Sequence, residues 1–223
     1  MRPGARVRRG VNRPLRPAPQ AADAAAPAAW EFIPAVGADG RIFPIEKMHA
    51  HRLGQLHLAV SVFLFCDDQM LIQQRALGKY HCGGLWANSC CTHPHWGEET
   101  AKAAQRRVRQ ELGASVHLAP AGQLTYRAPV GRGLIEHERV QVFQARVEKK
   151  RFFLAPNPDE VMDTRWISRA AIQDEIRRNP NKFAPWFRIY IARWKNLGLG
   201  PSPIRTMASP PLSFANIGGD NRI

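Results

Sequence analysis

The clearest pattern in the chain is at residues 56–65, LHLAVSVFLF, where nearly every position is β-branched, aliphatic or aromatic. An apolar run of that length with no polar face reads as a strand buried on both sides. Asp67 and Asp68 interrupt it, and apolar residues return from Met70 to Gln74, which predicts a hairpin. Ala101, Ala104, Val108 and Leu112 then recur at spacings of three and four, with acidic residues near the start and Gly113 at the end. Glu99 to Leu112 is therefore expected to be an amphipathic helix. Strands are expected at 115–118, at 124–128, at 138–147 (where Val140 and Val142 share one face) and at 160–167. Ser168 caps a helix running to Arg178, and Pro185 opens a last helix towards Trp194. The expected class is α/β (α+β), a single domain over 31–197 with mixed sheets sandwiched by helices.

Composition narrows the class without choosing a function. With 223 residues, 44% hydrophobic and 22% charged, the chain has the make-up of a globular protein with a sizeable core. Its longest apolar run falls far short of the ~20 residues a membrane helix needs. Four cysteines, two of them adjacent at 90 and 91, do not form a disulfide framework. The expectation is a soluble, cytoplasmic protein in a reducing compartment, without membrane attachment.

The net charge of +14 is unevenly spread. Residues 1–30 hold six arginines against Asp23 alone, amid Pro and Ala, and read as a disordered basic tail. Residues 198–223 are rich in Pro, Gly and Ser and read as a second disordered tail. The charge would suit a phosphorylated small molecule, an anionic surface or nucleic acid. A binding protein driven by the arm alone would show salt-sensitive nucleic-acid binding lost on removing residues 1–30; no nucleic-acid partner is expected.

Three groups of residues carry candidate chemistry. Glu136 and Glu138 are two apart on an expected strand, so both carboxylates leave one face, while His137 between them points away and is expected to be structural. Like charges that close are unfavourable unless a cation lies between them or one is protonated. His81, Cys82, Cys90, Cys91, His93 and His95 cluster in one loop, with His49, His51 and His57 upstream. Imidazoles with carboxylates suit Zn²⁺, Mn²⁺ or Fe²⁺, and a closed structural zinc site is the competing reading, though the paired spacing of a zinc finger is absent. Lys47, Arg75, Lys79, Arg106, Arg107 and Arg109 supply cations near the same loop, enough for an anion such as diphosphate.

Eight ordered segments together resemble the type I isopentenyl-diphosphate isomerases, a branch of the Nudix fold: EKMHAH (46–51), LHLAVSVFLF (56–65), RALGK (75–79), NSCCTHP (88–94), YRA (126–128), GLIEHE (133–138), DEVMDTRW (159–166) and APW (184–186). The resemblance runs from roughly residue 38 to 195. The Nudix pattern, read backwards from Gly113, matches Glu98, Arg106 and Glu111 but finds Thr92 at its first glycine. Arg107 stands where the hydrolases of this fold need a glutamate, and Gln110 replaces another acidic position. That departure separates an isomerase from the alternative, a Nudix pyrophosphohydrolase of nucleoside diphosphate derivatives.

The resemblance implies a 1,3-proton shift between isopentenyl and dimethylallyl diphosphate in isoprenoid biosynthesis. It implies Cys91 and Glu138 as the proton-transfer residues, with Tyr126 hydrogen-bonding beside Glu138. It implies Lys47, Arg75, Lys79 and Arg107 on the diphosphate and Trp186 against the developing cation. A metal (Mn²⁺, Zn²⁺ or Mg²⁺) would be held by His51, His57, His93, Glu136 and Glu138. Mg²⁺ would accompany the diphosphate at Glu111 and the Cys91 carbonyl. The partner is then a small-molecule diphosphate, and the expected state a monomer or weak dimer. His51 to His57 is one residue shorter than the family's spacing, so His49 competes with His51 as first ligand; the ungapped EKMHA favours His51. Cys82-Gly83 stands where Trp-Pro is common, and Cys90 is expected to be a small buried residue.

Overall fold

The computed structural model describes residues 31–197 and 199. In chain order the elements are β1 (Phe32–Val36), β2 (Ile42–Glu46), α1 (Lys47–Leu53), β3 (His57–Cys66), β4 (Gln69–Arg75), β5 (Trp86–Ala87), β6 (Cys90–Thr92) and α2 (Thr100–Leu112). They continue with β7 (Ala119–Gly131), β8 (Leu134–Arg146), β9 (Val161–Ser168), α3 (Arg169–Arg178), α4 (Pro185–Ala192) and α5 (Trp194–Leu197).

Strand β3 is the axis of the fold, and its sequence explains the layering. All ten of its residues are buried. Ala59, Phe63 and Phe65 face one core, with Phe187 and Tyr190 of α4 and Trp194 of α5. Val60, Val62 and Leu64 face a second core, with Ala104, Val108 and Leu112 of α2. The two-residue side-chain period of a strand thus feeds two helical layers, and a run with no polar face is what a sheet covered on both sides demands. One edge of β3 pairs in parallel with β8 along its whole length, from His57 beside Glu138 to Phe65 beside Arg146. The other edge pairs antiparallel with β1, β6 and β4 in turn. Strand β9 pairs with β4, and β2 with β1.

Most expected elements are present, and the differences have local causes. The segment 115–118 is not a strand; its alternating apolar residues, with Leu118 buried and Val116 half-buried, pack on the α2 core without a ladder partner. The expected strand at 124–128 is the middle of the thirteen-residue β7, which pairs with β8 across the two-residue turn Arg132-Gly133. Both turn residues have positive φ, +53° and +71°, as this kind of hairpin requires. The last helix stops at Ala192, with α5 following as a separate turn. The two expected tails lie outside the described residues, apart from Leu199, which is buried against the α4 and α5 core. Among the described residues no helix is long and apolar enough to cross a membrane.

Helix α2 ends as expected, with Gly113 left-handed at φ +61° and its N–H bonded to Arg109 O. The otherwise unpaired carbonyls of Leu112 and Glu111 accept from Ala155 and Asn157 N–H, both at 2.9 Å, so the 155–157 segment is tied to the helix end. A Cβ on Gly113 would meet Ala155 O at 2.4 Å. Gly113→Ala is therefore expected to lower unfolding stability by about 2 kcal/mol or more, combining left-handed strain with a backbone clash. Urea denaturation followed by circular dichroism measures it, and an unchanged midpoint would contradict the close approach.

Candidate active site

A cavity of about 430 Å³ opens where α1, the 76–85 loop, β6, α2, β8 and α4 meet. Its walls include Lys47, Arg75, Lys79, Arg107, Cys91, His93, Tyr126, Glu136, Glu138 and Trp186. Residues dispersed over 140 positions of sequence are thus brought to one place.

The deep end is built on β8 and its neighbours. Glu138 is flanked across the sheet by His57 of β3 and Tyr126 of β7, so all three side chains share one face. Tyr126 donates from its hydroxyl to Glu138 Oε2 at 2.6 Å, and His93 Nε2 lies 2.9 Å from Oε1. Glu136, two residues back on the same face, turns Oε2 towards His51 Nε2 at 3.2 Å and towards His57 and His93 Nε2 at 3.7 Å. One donor atom from each of His51, His57, His93 and Glu136 lies within 4.8 Å of the other three. Second hydrogen bonds fix two of the imidazoles. His51 Nδ1 faces Lys47 O at 2.6 Å and His57 Nδ1 faces Gln55 O at 2.8 Å, so Nδ1 carries the proton and Nε2 keeps its lone pair.

His51 Nε2 and Glu136 Oε2 are fully buried and have no hydrogen-bond partner, and His57 Nε2 sits 3.1 Å from His93 Nε2. Nitrogen and oxygen atoms converging this closely, two of them buried with no hydrogen-bond partner, are what a cation satisfies. Three imidazoles and a carboxylate form the donor set of a divalent-metal site. Burial holds the His57 pKa at about 4, which keeps that ring neutral and able to ligate. Burial, and then the Glu136 charge, raise Glu138 to about 7. Glu136 stays low despite burial because the imidazoles around it stabilise its charge.

His51 joins this cluster, whereas the His49 side chain is exposed and its backbone N–H caps α1 through Glu46. His137 does point away and holds Gly54 O at 3.0 Å through Nδ1. Cys90 is fully buried in the α2 core. Cys91, next to it on β6, reaches the cavity wall; its thiol donates to Asn88 Oδ1 at 3.1 Å and lies 3.3 Å from Ser61 Oγ. Burial pushes this thiol up to about 12, so it is protonated at neutral pH.

The outer end is cationic. Lys47 opens α1 with its ammonium 4.6 Å above the Tyr80 ring. Arg75 ends β4, donates to His81 O at 3.3 Å, and lies 5.3 Å from the centre of the Trp186 ring. Arg107 bonds Glu111 Oε1 at 2.7 Å and Glu160 Oε2 at 2.5 Å, and Lys79 pairs with the same Glu160 carboxylate. Glu111 is buried, with its other oxygen accepting from Gln73 Nε2 at 2.6 Å, and stands apart from the four-residue cluster. Trp186 enters the cavity because the start of α4 is tied to β5, Ala184 N–H donating to Trp86 O at 2.9 Å.

Sequence reasoning did not single out Glu160, Tyr80 or His81 as site residues. Glu160 is drawn in because its peptide receives Ala76 N–H and the segment before it is tied to α2, contacts with no sequence signature. His81 was visible only as a member of a histidine-rich loop.

Residues 55–187 match the Nudix domain family. A crystal structure of a Deinococcus radiodurans protein superposes with a TM-score of 0.61 at 16% identity, covering 73% of this chain and 98% of that one. A MutT protein of Methanosarcina mazei gives 0.51 at 16% identity, covering 63% and 94%. At these identities the likeness speaks for the fold, which is that of the Nudix class. Among curated proteins, the isopentenyl-diphosphate Delta-isomerase of Rhodobacter capsulatus is 48% identical over 174 residues, 78% of this chain and 98% of that one. That of Ruegeria pomeroyi is 46% identical over 167 residues, 74% of this chain and 92% of the relative. The chain belongs to the isopentenyl-diphosphate Delta-isomerase family of Nudix-fold proteins.

Burial beside Lys79 and Arg107 depresses Lys47 to about 8. Its charge is therefore present below that pH and lost above it. Affinity for inorganic diphosphate is expected to fall by roughly tenfold between pH 7 and 9 relative to Lys47→Arg, which keeps its charge throughout. Calorimetric titration of both proteins across that range measures it; parallel profiles would remove Lys47 from the anion site.

Proposed function

We propose that this protein interconverts isopentenyl and dimethylallyl diphosphate by protonation and deprotonation at the two ends of an allylic unit. The observation that carries this reading is the pairing in one cavity of a protonated thiol, Cys91, with a buried carboxylate, Glu138, between a cationic end and a metal-type cluster. The curated relatives bear the name of this reaction. An alkene is a very weak base, so its protonation requires an acid held against it, a base placed to take a proton from the neighbouring allylic carbon, and exclusion of water.

Cys91 and Glu138 stand on strands paired to opposite edges of β3, with their side chains on one sheet face. One gives a proton to the alkene and the other removes one, so the substrate lies between them. Tyr126 holds Glu138 in place through its 2.6 Å hydrogen bond. Lys47, Arg75, Lys79 and Arg107 grip the diphosphate. Arg107 also occupies the position at which hydrolases of the fold carry a glutamate, and a cation there holds the diphosphate without assembling a cage of carboxylates for its cleavage. Trp186 offers its ring to the positive charge that develops on carbon, an interaction of about 2 kcal/mol when desolvated.

His51, His57, His93 and Glu136, with Glu138 beside them, would hold Mn²⁺, Zn²⁺ or Mg²⁺, a cation that offsets the carboxylate pair and lowers the pKa of Glu138. Mg²⁺ accompanying the diphosphate would be held by Glu111 and the Cys91 carbonyl, since oxygen donors suit it. The surroundings of such chemistry are those of a soluble cytoplasmic enzyme acting as a monomer or weak dimer.

Incubating the chain with isopentenyl diphosphate and Mg²⁺ in D₂O should give deuterium-bearing dimethylallyl diphosphate by NMR, with no phosphate released. Cys91→Ala and Glu138→Gln should each lower turnover by roughly 10²–10⁴-fold while remaining folded. Phosphate release without isomerisation would sink the reading in favour of a pyrophosphohydrolase.

A further inference from the structure

His81 lies in the 76–85 loop, is 4% exposed, and is not one of the four clustered donors. Its Nε2 lies 2.6 Å from Glu136 Oε1, the oxygen opposite the one that meets His51, His57 and His93. The contact is off the line of a well-formed hydrogen bond, and both ring nitrogens are buried without a satisfied partner. A buried imidazole in that condition is costly to keep, and apolar residues would fill the space more favourably.

The loop fixes the ring. Arg75 N–H donates to Leu85 O at 3.0 Å and Gly84 N–H to Arg75 O at 2.9 Å, closing the loop at its base. Gly83 packs so tightly on the Leu77 carbonyl that a Cβ would come within 2.6 Å of it. The imidazole is held edge-on between Tyr80 at 4.3 Å and Trp186 at 5.6 Å between ring centres. Its own carbonyl accepts from Arg75 at 3.3 Å.

We propose that His81 is a positioning residue of the metal centre. Its Nε2–H engages Glu136 Oε1, which divides the carboxylate and presents Oε2 alone to the three imidazoles. Groups behind the ligands commonly decide the geometry and affinity of a site, and His81 is the polar group on the free side of Glu136. The inference rests on reading His51, His57, His93 and Glu136 as the metal centre.

The test is titration of the metal-stripped chain with Mn²⁺, following free Mn²⁺ by electron paramagnetic resonance. His81→Phe keeps the ring between Tyr80 and Trp186 without a donor, and His81→Gln restores an N–H. The Phe variant should bind Mn²⁺ about 10- to 100-fold more weakly, and the Gln variant within a few-fold of the parent. A folded Phe variant with the parent's affinity would overturn the proposal and leave the metal centre standing. Equal losses in Phe and Gln would also overturn it, since N–H donation would then be irrelevant. If Glu136→Gln binds Mn²⁺ as well as the parent does, the reading of the cluster itself fails, and this proposal with it. Near-ultraviolet circular dichroism of each variant separates a lost ligand contact from a lost fold.

Discussion

Glu136 and Glu138 leave one face of β8 into a cavity wall where neither is freely hydrated, and much of the surrounding structure answers that problem. Two buried carboxylates side by side cost several kcal/mol unless charge or hydrogen bonds are brought to them. Here imidazoles from α1, β3, the 76–85 loop and the segment after β6 converge on the pair, and Tyr126 of β7 donates to its second member. Each arrives from a different element. The pair therefore requires those elements to be mutually placed to within a hydrogen-bond length. Burial sharpens the division of roles between Tyr126 and Glu138: the phenol, pushed further above its usual range, stays protonated and acts as a donor, while the carboxyl is raised to about 7.

The opposite end of the cavity has the same difficulty with the sign reversed. Lys47, Arg75, Lys79 and Arg107 would repel one another if left alone, and the depressed Lys47 ammonium reports part of that repulsion. Glu160 answers it by pairing with Lys79 and Arg107 together, and Glu111 by pairing with Arg107 from within the helix. The cavity is thus polarised, with carboxylates and imidazoles at one end, cations at the other, and Cys91, Tyr126 and Trp186 along its walls. A molecule with an anionic head and a short hydrocarbon tail has one favourable orientation in such a field.

Local and periodic features were readable in the sequence. The two-sided burial of β3, the apolar stripe of α2 and its Gly113 stop, and the shared face of Glu136 and Glu138 all follow from spacings within a dozen residues. Short elements were less visible: α1 has seven residues and is capped by a glutamate, while β5 and β6 are too short to carry a period of their own. The site residues were gathered by a family resemblance rather than by spacing, because the distances that matter join positions far apart. Glu160 and His81 went unassigned for that reason. The first is delivered by hydrogen bonds from the end of α2 and the second by the closure of a loop, and neither leaves a mark on hydrophobic pattern. Conversely, the 115–118 alternation looked like a strand because packing on one core produces the same two-residue rhythm without any pairing.

The turn at Arg132-Gly133 joins β7 to β8, and a register shift between Pro129 and Gly131 brings Tyr126 opposite Glu138. Because side chains alternate faces, a change of one residue in this tip would set Tyr126 out of step with Glu138, whose own strand stays pinned by its pairing with β3. Substitution and length therefore have different meanings here. An exposed tip residue can vary in identity where it tolerates positive φ, but an insertion or deletion would act as an on-off event on the Tyr126–Glu138 contact. Divergence within such a lineage would be recorded at this hairpin as altered letters within a conserved count.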